Sequence, residues 1–139
     1  MIEEVYEKMD NMLGQIKDVV QPKDPNLYDI IYNFVCAQWD KFNVPLHALA
    51  YILMPKYYSS SWLGKPAPRD GVKTKSHTDP EVQNGYMTAL DKLVFDKECA
   101  RLHGELGKYF TSTRVFGPLH AMEDRDRLDV VTWWDMYGG

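Results

Sequence analysis

The chain has 139 residues and a formal net charge of −4. This balance argues against a protein that holds nucleic acid through overall positive charge, because non-specific affinity comes mainly from lysine and arginine. Hydrophobic residues make up 45% of the sequence, which is enough for one domain with a core. No apolar run approaches the ~20 residues of a membrane span, and Glu3 and Glu4 stand where a signal peptide would be basic. We therefore expect an intracellular protein without a membrane partner.

Three helices with short connections are predicted in residues 1–55. Apolar residues recur at helical spacing through the first two, and Asp24 or Asn26 is a suitable N-cap for the second. Pro45 suits the first turn of the third helix, and Pro55 ends it because proline disfavours helical backbone in the preceding residue. The three helices are expected over residues 2–20, 24–42 and 45–54.

Residues 56–78 show no hydrophobic period. They contain the serine run Ser59–Ser61 together with Gly64, Pro66, Pro68 and Gly71, so they predict one long flexible loop. Loops of this length are usually functional or mobile. Tyr57, Tyr58 and Trp62 are expected to pin the start of the loop to the helical body.

Four more helices are predicted after this loop. Asp79, Asp96 and Asp129 each precede an apolar periodic segment and are suitable N-caps. Gly85 lies inside the first of these helices and is a weak point that costs ~1 kcal/mol relative to alanine. The four helices are expected over residues 80–94, 96–109, 118–125 and 130–137.

The predicted fold class is all-α. No segment alternates with period two for long enough to predict a strand. The chain is expected to be a multi-helix, bundle-like fragment with one long central loop. Residues 1–55 and 79–139 form one domain in this interpretation, and residues 56–78 connect its two parts.

Cysteines and histidines do not form a metal-ligand pattern in this sequence. Cys99 and His103 are four residues apart and share a helix face, but a structural zinc site usually needs a second such pair. Cys36 lies among apolar neighbours, which suits packing rather than a reactive thiolate. Two buried free thiols and a disulfide between Cys36 and Cys99 are the two alternatives. We expect no metal, no cofactor and no catalytic residue in this chain.

Four cations lie close together in the predicted loop, and few acids accompany them. Glycines beside two of the lysines do not keep the register of a phosphate-binding P-loop. The cluster is either a contact for a DNA backbone or a solvated linker. The candidate DNA-backbone contacts are Lys65, Arg69, Lys73 and Lys75.

Two patterns stand out near the C-terminal end. Residues 123–127 alternate acidic and basic side chains, which is typical of a solvated helix face with salt bridges. Trp133 and Trp134 are adjacent, and adjacent helical residues point about 100° apart. Either both are ordinary core aromatics, or one of them docks onto a surface outside this chain.

Several blocks of this sequence resemble plant hAT-superfamily DNA transposases. The central block runs from Trp39-Asp40 through Pro45-Leu46-His47 and Tyr51 to Pro55. Order and spacing agree along the chain, although Met54 and Leu49 stand where the family often has asparagine and alanine. The other blocks are Val5-Tyr6-Glu7-Lys8-Met9, Asp79-Pro80-Glu81-Val82 with Gly85, Glu105-Leu106 with Tyr109, Phe116-Gly117 and Trp133-Trp134-Asp135-Met136-Tyr137-Gly138.

The resemblance implies a place in the closing portion of the helical insertion that interrupts an RNase H-like catalytic region. Catalysis in that family uses two upstream aspartates and a downstream glutamate with magnesium or manganese. None of these carboxylates matches a position in this chain, so no catalytic residue or metal ligand is carried over. The resemblance also implies a nuclear location.

We therefore expect a catalytically incomplete fragment or truncated relative of a hAT transposase, which braces the nuclease core and supports contacts to transposon DNA. Its partner would be the rest of a transposase or a protein that covers the face around Trp133 and Trp134. The alternatives are a domesticated or integrated protein-interaction module, a DNA-binding accessory domain and an independent enzyme. The expected structural or docking residues are Trp39, Pro45, Leu46, His47, Tyr51, Pro55, Trp133 and Trp134.

Overall fold

The computed structural model of the chain describes residues 2–68, 71–94 and 96–139. Within these ranges the protein is all-α and has no strand, which confirms the predicted fold class. The α-helices are α1 (Val5–Val20), α2 (Pro25–Phe42), α3 (Pro45–Ile52), α4 (Ser60–Leu63), α5 (Pro80–Leu93), α6 (Asp96–Phe110), α7 (Leu119–Arg127) and α8 (Val130–Tyr137). Short 3₁₀ turns cover Ile2–Glu4, Pro55–Tyr58, Ser76–Thr78 and Arg114–Phe116.

Aspartate N-caps set three of the helix starts, as predicted. Oδ1 of Asp24 and Oδ1 of Asp129 each accept a hydrogen bond of 3.1 Å from the backbone N–H three residues later. Oδ1 of Asp79 accepts one of 2.8 Å from the N–H two residues later. These bonds satisfy backbone donors that have no partner inside the helix. Helix α6 begins at Asp96, whose side chain lies outside the described residues.

The predicted loop over residues 56–78 contains three helical pieces, so the prediction of one continuous loop is wrong in detail. The 3₁₀ turn Pro55–Tyr58, helix α4 and the 3₁₀ turn Ser76–Thr78 lie in or across it. Ser59 caps α4, because its Oγ accepts from the N–H of Trp62 at 3.2 Å. The aromatic side chains Tyr57, Tyr58 and Trp62 are buried, which holds this segment against the helical body as expected.

Helix α3 lies at the centre of the molecule, with α5 packed along it. The largest fully enclosed side chains lie between residues 52 and 133 and include Ile52, Tyr57, Val82, Tyr109 and Trp133. Most of the buried hydrophobic residues form one cluster, to which Leu13, Tyr28 and Ala121 do not belong. The core therefore draws on residues both before and after the segment 56–78.

Gly85 has a packing role that the sequence did not indicate. A Cβ atom built on Gly85 would lie 2.5 Å from Cβ of Ala48 in α3, closer than two carbon atoms can approach. Glycine therefore lets α5 approach α3 at this point. The expectation that Gly85 is only a weak point relative to alanine is wrong, because alanine does not fit here without a shift of the helices.

Candidate functional site

The basic segment, which we define by Lys65, Arg69, Lys73 and Lys75, does not present its three described cations on one open surface. Lys65 is exposed, but Nζ of Lys73 lies 4.2 Å from the ring centroid of Trp62, and burial lowers the pKa of Lys73. Nζ of Lys75 donates to a backbone carbonyl at the end of α6 at 3.1 Å. Arg69 lies outside the described residues. Two of the predicted DNA contacts therefore interact with the protein itself, which favours a structural role for them.

Glu7 of α1 ties the segment 56–78 to the helical body. Its carboxylate accepts hydrogen bonds from the hydroxyl of Tyr57 at 2.8 Å, from Nε1 of Trp62 at 3.0 Å and from Nζ of Lys56 at 3.3 Å. Burial opposes ionisation of Glu7, but these three donors outweigh it and hold the pKa of the carboxyl below its usual value. Glu7 also lines a cavity of about 150 Å³ beneath the segment. The site is a polar clamp rather than an open binding surface.

The central turn is held by a hydrogen-bonded group around Glu81. Nε1 of Trp39 donates to Oε1 of Glu81 at 2.7 Å, and Nδ2 of Asn43 donates to the same oxygen at 2.8 Å. Asn43 also donates to the hydroxyl of Tyr6 at 2.7 Å. Burial raises the pKa of Tyr6 to about 12, so its hydroxyl stays neutral. Trp39 therefore connects α2 to α5 through Glu81, a partner that the sequence did not indicate.

The other residues proposed for the central helix are held within the structure, with the exception of Leu46. Nδ1 of His47 accepts from the backbone N–H three residues earlier at 3.3 Å, which is the hydrogen bond across the turn that was expected. Pro45 is half-buried, and Tyr51 and Pro55 are buried. Leu46 is 49% exposed and lies outside the core, so it does not act through burial. Helical spacing alone does not distinguish the inner face of a short helix from its edge.

Trp133 and Trp134 both interact with the chain itself. Trp133 has no exposed surface, and its Nε1 donates to the carbonyl of Ala121 at 2.9 Å. Nε1 of Trp134 donates to the carbonyl of Leu53 at 2.7 Å, and the indole of Trp134 is half-buried. Trp133 is thus a core residue without surface for docking. Trp134 retains an open face.

That open face lines a groove between α6 and α8, which we call the α6–α8 groove. Its volume is about 700 Å³, within the range of ligand and peptide clefts. The polar side chains at its edge belong to Glu98, Arg101 and Glu105 of α6. The apolar lining consists of Leu53, Val94, Leu102, Leu106, Phe116, Val130, Val131 and Trp134.

Arg125 is a buried cation, and the sequence did not predict its burial. It is 2% exposed, so the interpretation of residues 123–127 as a solvated face is wrong for this residue. Its guanidinium carbon lies 5.4 Å, 5.5 Å and 5.9 Å from the ring centroids of Tyr109, Trp133 and Tyr58. Nη1 donates to the carbonyl of Tyr58 at 3.3 Å. Burial lowers the pKa of Arg125, and the three rings provide its cation–π environment.

The remaining histidine and cysteine candidates have no common site. His77 stacks on Phe110 with ring centroids 4.3 Å apart, and burial followed by the charge of Lys75 lowers the pKa of its imidazole. Cys36 and Cys99 are free and half-buried, so the alternative of a disulfide is not realised. Among the described residues, no group of three or more histidine, cysteine or acidic side chains could hold a metal ion.

In the described ranges, no helix combines the length and the apolar character that crossing a membrane requires. The sequence matches no protein-family model, and neither the curated proteins nor the solved structures contain a match. The functional hypothesis therefore depends on the residues themselves.

Proposed function

We propose that this chain is a catalytically incomplete fragment or truncated relative of a plant hAT transposase, equivalent to the closing portion of its helical insertion. The observation that carries the proposal is that the resembling blocks, which are far apart in sequence, meet in space. Glu81 of one block accepts hydrogen bonds from Trp39 of another. Gly85 permits close contact with Ala48.

The C-terminal blocks support the same conclusion. The ring of Tyr109 lies 5.7 Å from that of Trp133 and 4.8 Å from that of Trp134. The hydroxyl of Tyr109 donates to the carbonyl of Ile52, at the end of the central block, at 3.2 Å. Several residues that carry the resemblance, among them Tyr51, Val82 and Trp133, are thus core residues. A structural segment that belongs to one family is expected to keep the residues that build its fold.

The proposed role is to brace a nuclease core through the α6–α8 groove. A groove with an apolar lining and a half-open tryptophan is suited to an apolar element of the rest of the transposase. The test is to express the flanking segments from the same gene as a separate chain and measure binding by calorimetry. Val131→Glu should abolish binding, since Val131 lines the groove and is 74% exposed. Val72→Glu is the matched control, because Val72 is 80% exposed and lies outside the groove.

Contact with transposon DNA is a weaker part of the proposal. We expect salt-dependent binding no tighter than the ~10⁻⁴–10⁻⁶ M of non-specific complexes. The test compares two variants of equal charge by fluorescence anisotropy at low salt. One neutralises the basic segment and the other neutralises exposed cations elsewhere. A larger loss in the first variant would support a contact through the segment, and equal losses would exclude it. The two sets changed to glutamine are Lys65, Arg69, Lys73 and Lys75, and Lys23, Lys92, Lys97 and Arg127.

We propose no nuclease activity for this chain. Purified protein incubated with plasmid DNA and magnesium or manganese should leave the DNA intact. Reproducible cleavage that follows the protein through purification would overturn the proposal.

A second candidate is a protein-interaction module that functions without a transposase. The α6–α8 groove favours it, because an apolar cleft of about 700 Å³ can accept a peptide or helix from an unrelated partner. The two candidates differ in what the groove binds. Failure of the gene's own flanking segments to bind, together with cooperative unfolding of the isolated chain, would favour the module.

A further inference from the structure

The cavity beneath the segment 56–78 combines aromatic rings with acidic side chains. Its volume of about 150 Å³ is that of roughly five water molecules at ~30 Å³ each, so it has room for a small organic cation. Rings beside negative charge are the combination with which proteins bind such cations. We call it the Trp62 cavity, and its described lining includes the aromatic residues Tyr6, Tyr51 and Trp62 and the acidic residues Glu7, Asp10 and Asp79.

The molecule already places one of its own cations in this cavity. Lys73 belongs to the lining, and its Nζ lies 4.2 Å from the ring centroid of Trp62, within the ~6 Å range of a cation–π contact. Nε1 of the same indole donates to Oε1 of Glu7 at 3.0 Å, which brings a negative charge to the edge of the ring. The ring of Trp62 is therefore a cation-binding surface, and Lys73 is an internal ligand on it.

Lys73 is a poor ligand for this surface. Among the described residues, its ammonium contacts the ring of Trp62 and makes no hydrogen bond or ion pair. The side chain is half-buried, and burial lowers its pKa. A primary ammonium carries three N–H donors, and desolvating these donors without acceptors opposes the contact. A quaternary ammonium has no N–H donor, so the same surface can hold it without this penalty.

Lys75 does not compete for the same position. It also belongs to the lining, but its Nζ donates to the carbonyl of Phe110 at 3.1 Å, and Phe110 is not a lining residue. The charge of Lys75 therefore lies at the end of α6, away from the ring of Trp62. Displacement of Lys73 would leave the ring face open to another cation.

The electrostatic field in the cavity favours positive charge. Burial raises the pKa of the Tyr51 hydroxyl, and the negative charges of Asp10, Glu7 and Asp79 raise it further. Charges that disfavour a phenolate at a position favour a cation there. The acidic lining thus acts in the same direction as the aromatic rings.

We propose that the Trp62 cavity binds a trimethylammonium group, which displaces Lys73 from the ring of Trp62. The ring provides the cation–π contact, and the acidic lining compensates the charge. The ligand is a free quaternary amine or the side chain of a trimethylated lysine, which share this head group. The site is independent of the transposase proposal, because it depends only on the cavity and on Lys73.

Titration of the full chain with tetramethylammonium chloride, at an ionic strength kept constant with KCl, tests the proposal. The readout is the NMR signal of the Trp62 indole N–H. We expect a saturable shift with a Kd of about 1–10 mM for the wild type and a Kd at least about tenfold lower for Lys73→Ala. Lys65→Ala is the matched control, because Lys65 is an exposed lysine of the same segment outside the lining, and it should change the Kd less than about twofold.

A second neutral variant and a second cation make the test specific. Lys73→Gln keeps part of the side chain over the ring, so its gain in affinity should lie between the wild type and Lys73→Ala. Ammonium chloride should bind Lys73→Ala at least about tenfold more weakly than tetramethylammonium, because its N–H donors lack acceptors. Circular dichroism would verify the fold of each variant. No Trp62 shift in either neutral variant up to about 100 mM, no gain over the wild type, or an equal gain in Lys65→Ala would overturn the proposal.

Two ligands with the same head group distinguish its sources. The Lys73→Ala variant would be titrated with choline and with a short peptide that carries one trimethylated lysine. We expect similar Kd values, because a cavity of about 150 Å³ holds the head group alone. A peptide that binds at least about tenfold more tightly than choline, and only when methylated, would assign the site to a protein partner instead of a free amine.

Discussion

Arg125→Ala should destabilise the protein more than any change of an exposed charge. The wild-type guanidinium is 2% exposed, lies within 5.9 Å of three ring centroids and donates one hydrogen bond to a backbone carbonyl. A desolvated cation–π contact is worth about 2 kcal/mol, a charged hydrogen bond about 1.5–3 kcal/mol, and the cavity left by a long buried side chain about 2–5 kcal/mol.

One opposing term reduces this sum. Nε and Nη2 of Arg125 are buried and have no hydrogen-bond partner among the described residues. Removing them recovers part of the desolvation cost, which is several kcal/mol for a buried ion. We therefore expect a net loss of about 3 kcal/mol in the free energy of unfolding, or about 10 °C in Tm for a chain of this size.

Urea and thermal unfolding, followed by circular dichroism, measure this loss. Arg127→Ala is the matched control on the same helix. Its side chain is 73% exposed and its ion pair with Asp124 spans 3.5 Å, so the variant should lose less than about 0.5 kcal/mol. Arg125→Met keeps an apolar side chain between the rings and should lose about 1–2 kcal/mol, less than Arg125→Ala. Equal stability of the Arg125→Ala and Arg127→Ala variants would refute the enclosure of Arg125 by the three rings.

Gly85→Ala should lower the free energy of unfolding by about 1–3 kcal/mol in urea titrations, because the new Cβ would overlap Ala48. Gly104→Ala should raise the same free energy by up to about 1 kcal/mol, because Gly104 faces open space. The opposite order of these two effects would contradict the contact between α3 and α5. Stability should decrease as the pH falls below about 6.5, because the pKa of His77 is lowered on folding and the unfolded chain takes up the proton first. His77→Phe should reduce this pH dependence, and an unchanged pH profile would argue against the burial of the imidazole. Glu7→Gln should cost about 1–3 kcal/mol at pH 7 through loss of charged hydrogen bonds, and wild-type stability in the same assay would exclude Glu7 as a clamp.

Helix starts were the part of the fold that the sequence predicted best. The carboxylates of Asp24, Asp79 and Asp129 accept hydrogen bonds from residues two or three positions later, so their effect is local and can be predicted from the sequence. Pro55 acts in the same way, because it removes Met54 from the helical region (φ −82°, ψ 107°).

Side-chain roles that depend on distant partners were not predictable. Arg125 lies in an alternating charged run, and only the packing of α7 against aromatic rings from three other elements makes it a buried residue. Gly85 is a poor helix former by local propensity, yet its effect on stability depends on close contact with Ala48, 37 positions away. Lys75 belongs to a basic cluster, but the end of α6 provides the carbonyl that binds it.

The candidate site was predictable only in part, because the groove depends on residues that are distant in sequence. The residue blocks that suggested a transposase segment could be recognised from their order and spacing. The α6–α8 groove could not, since its lining comes from α6, α8, the 3₁₀ turn Arg114–Phe116 and the residues that follow α3 and α5. The open face of Trp134 follows from where α8 lies against Leu53, not from the pair of tryptophans in the sequence.

Sequencing the locus through both ends of this reading frame tests the central proposal most directly. We expect flanking sequence that encodes the rest of an RNase H-like catalytic region, with two aspartates upstream and a glutamate-bearing helix downstream, either continuous or interrupted by stop codons. Flanks that encode an unrelated domain, or that carry no trace of these segments, would contradict the assignment to a hAT transposase.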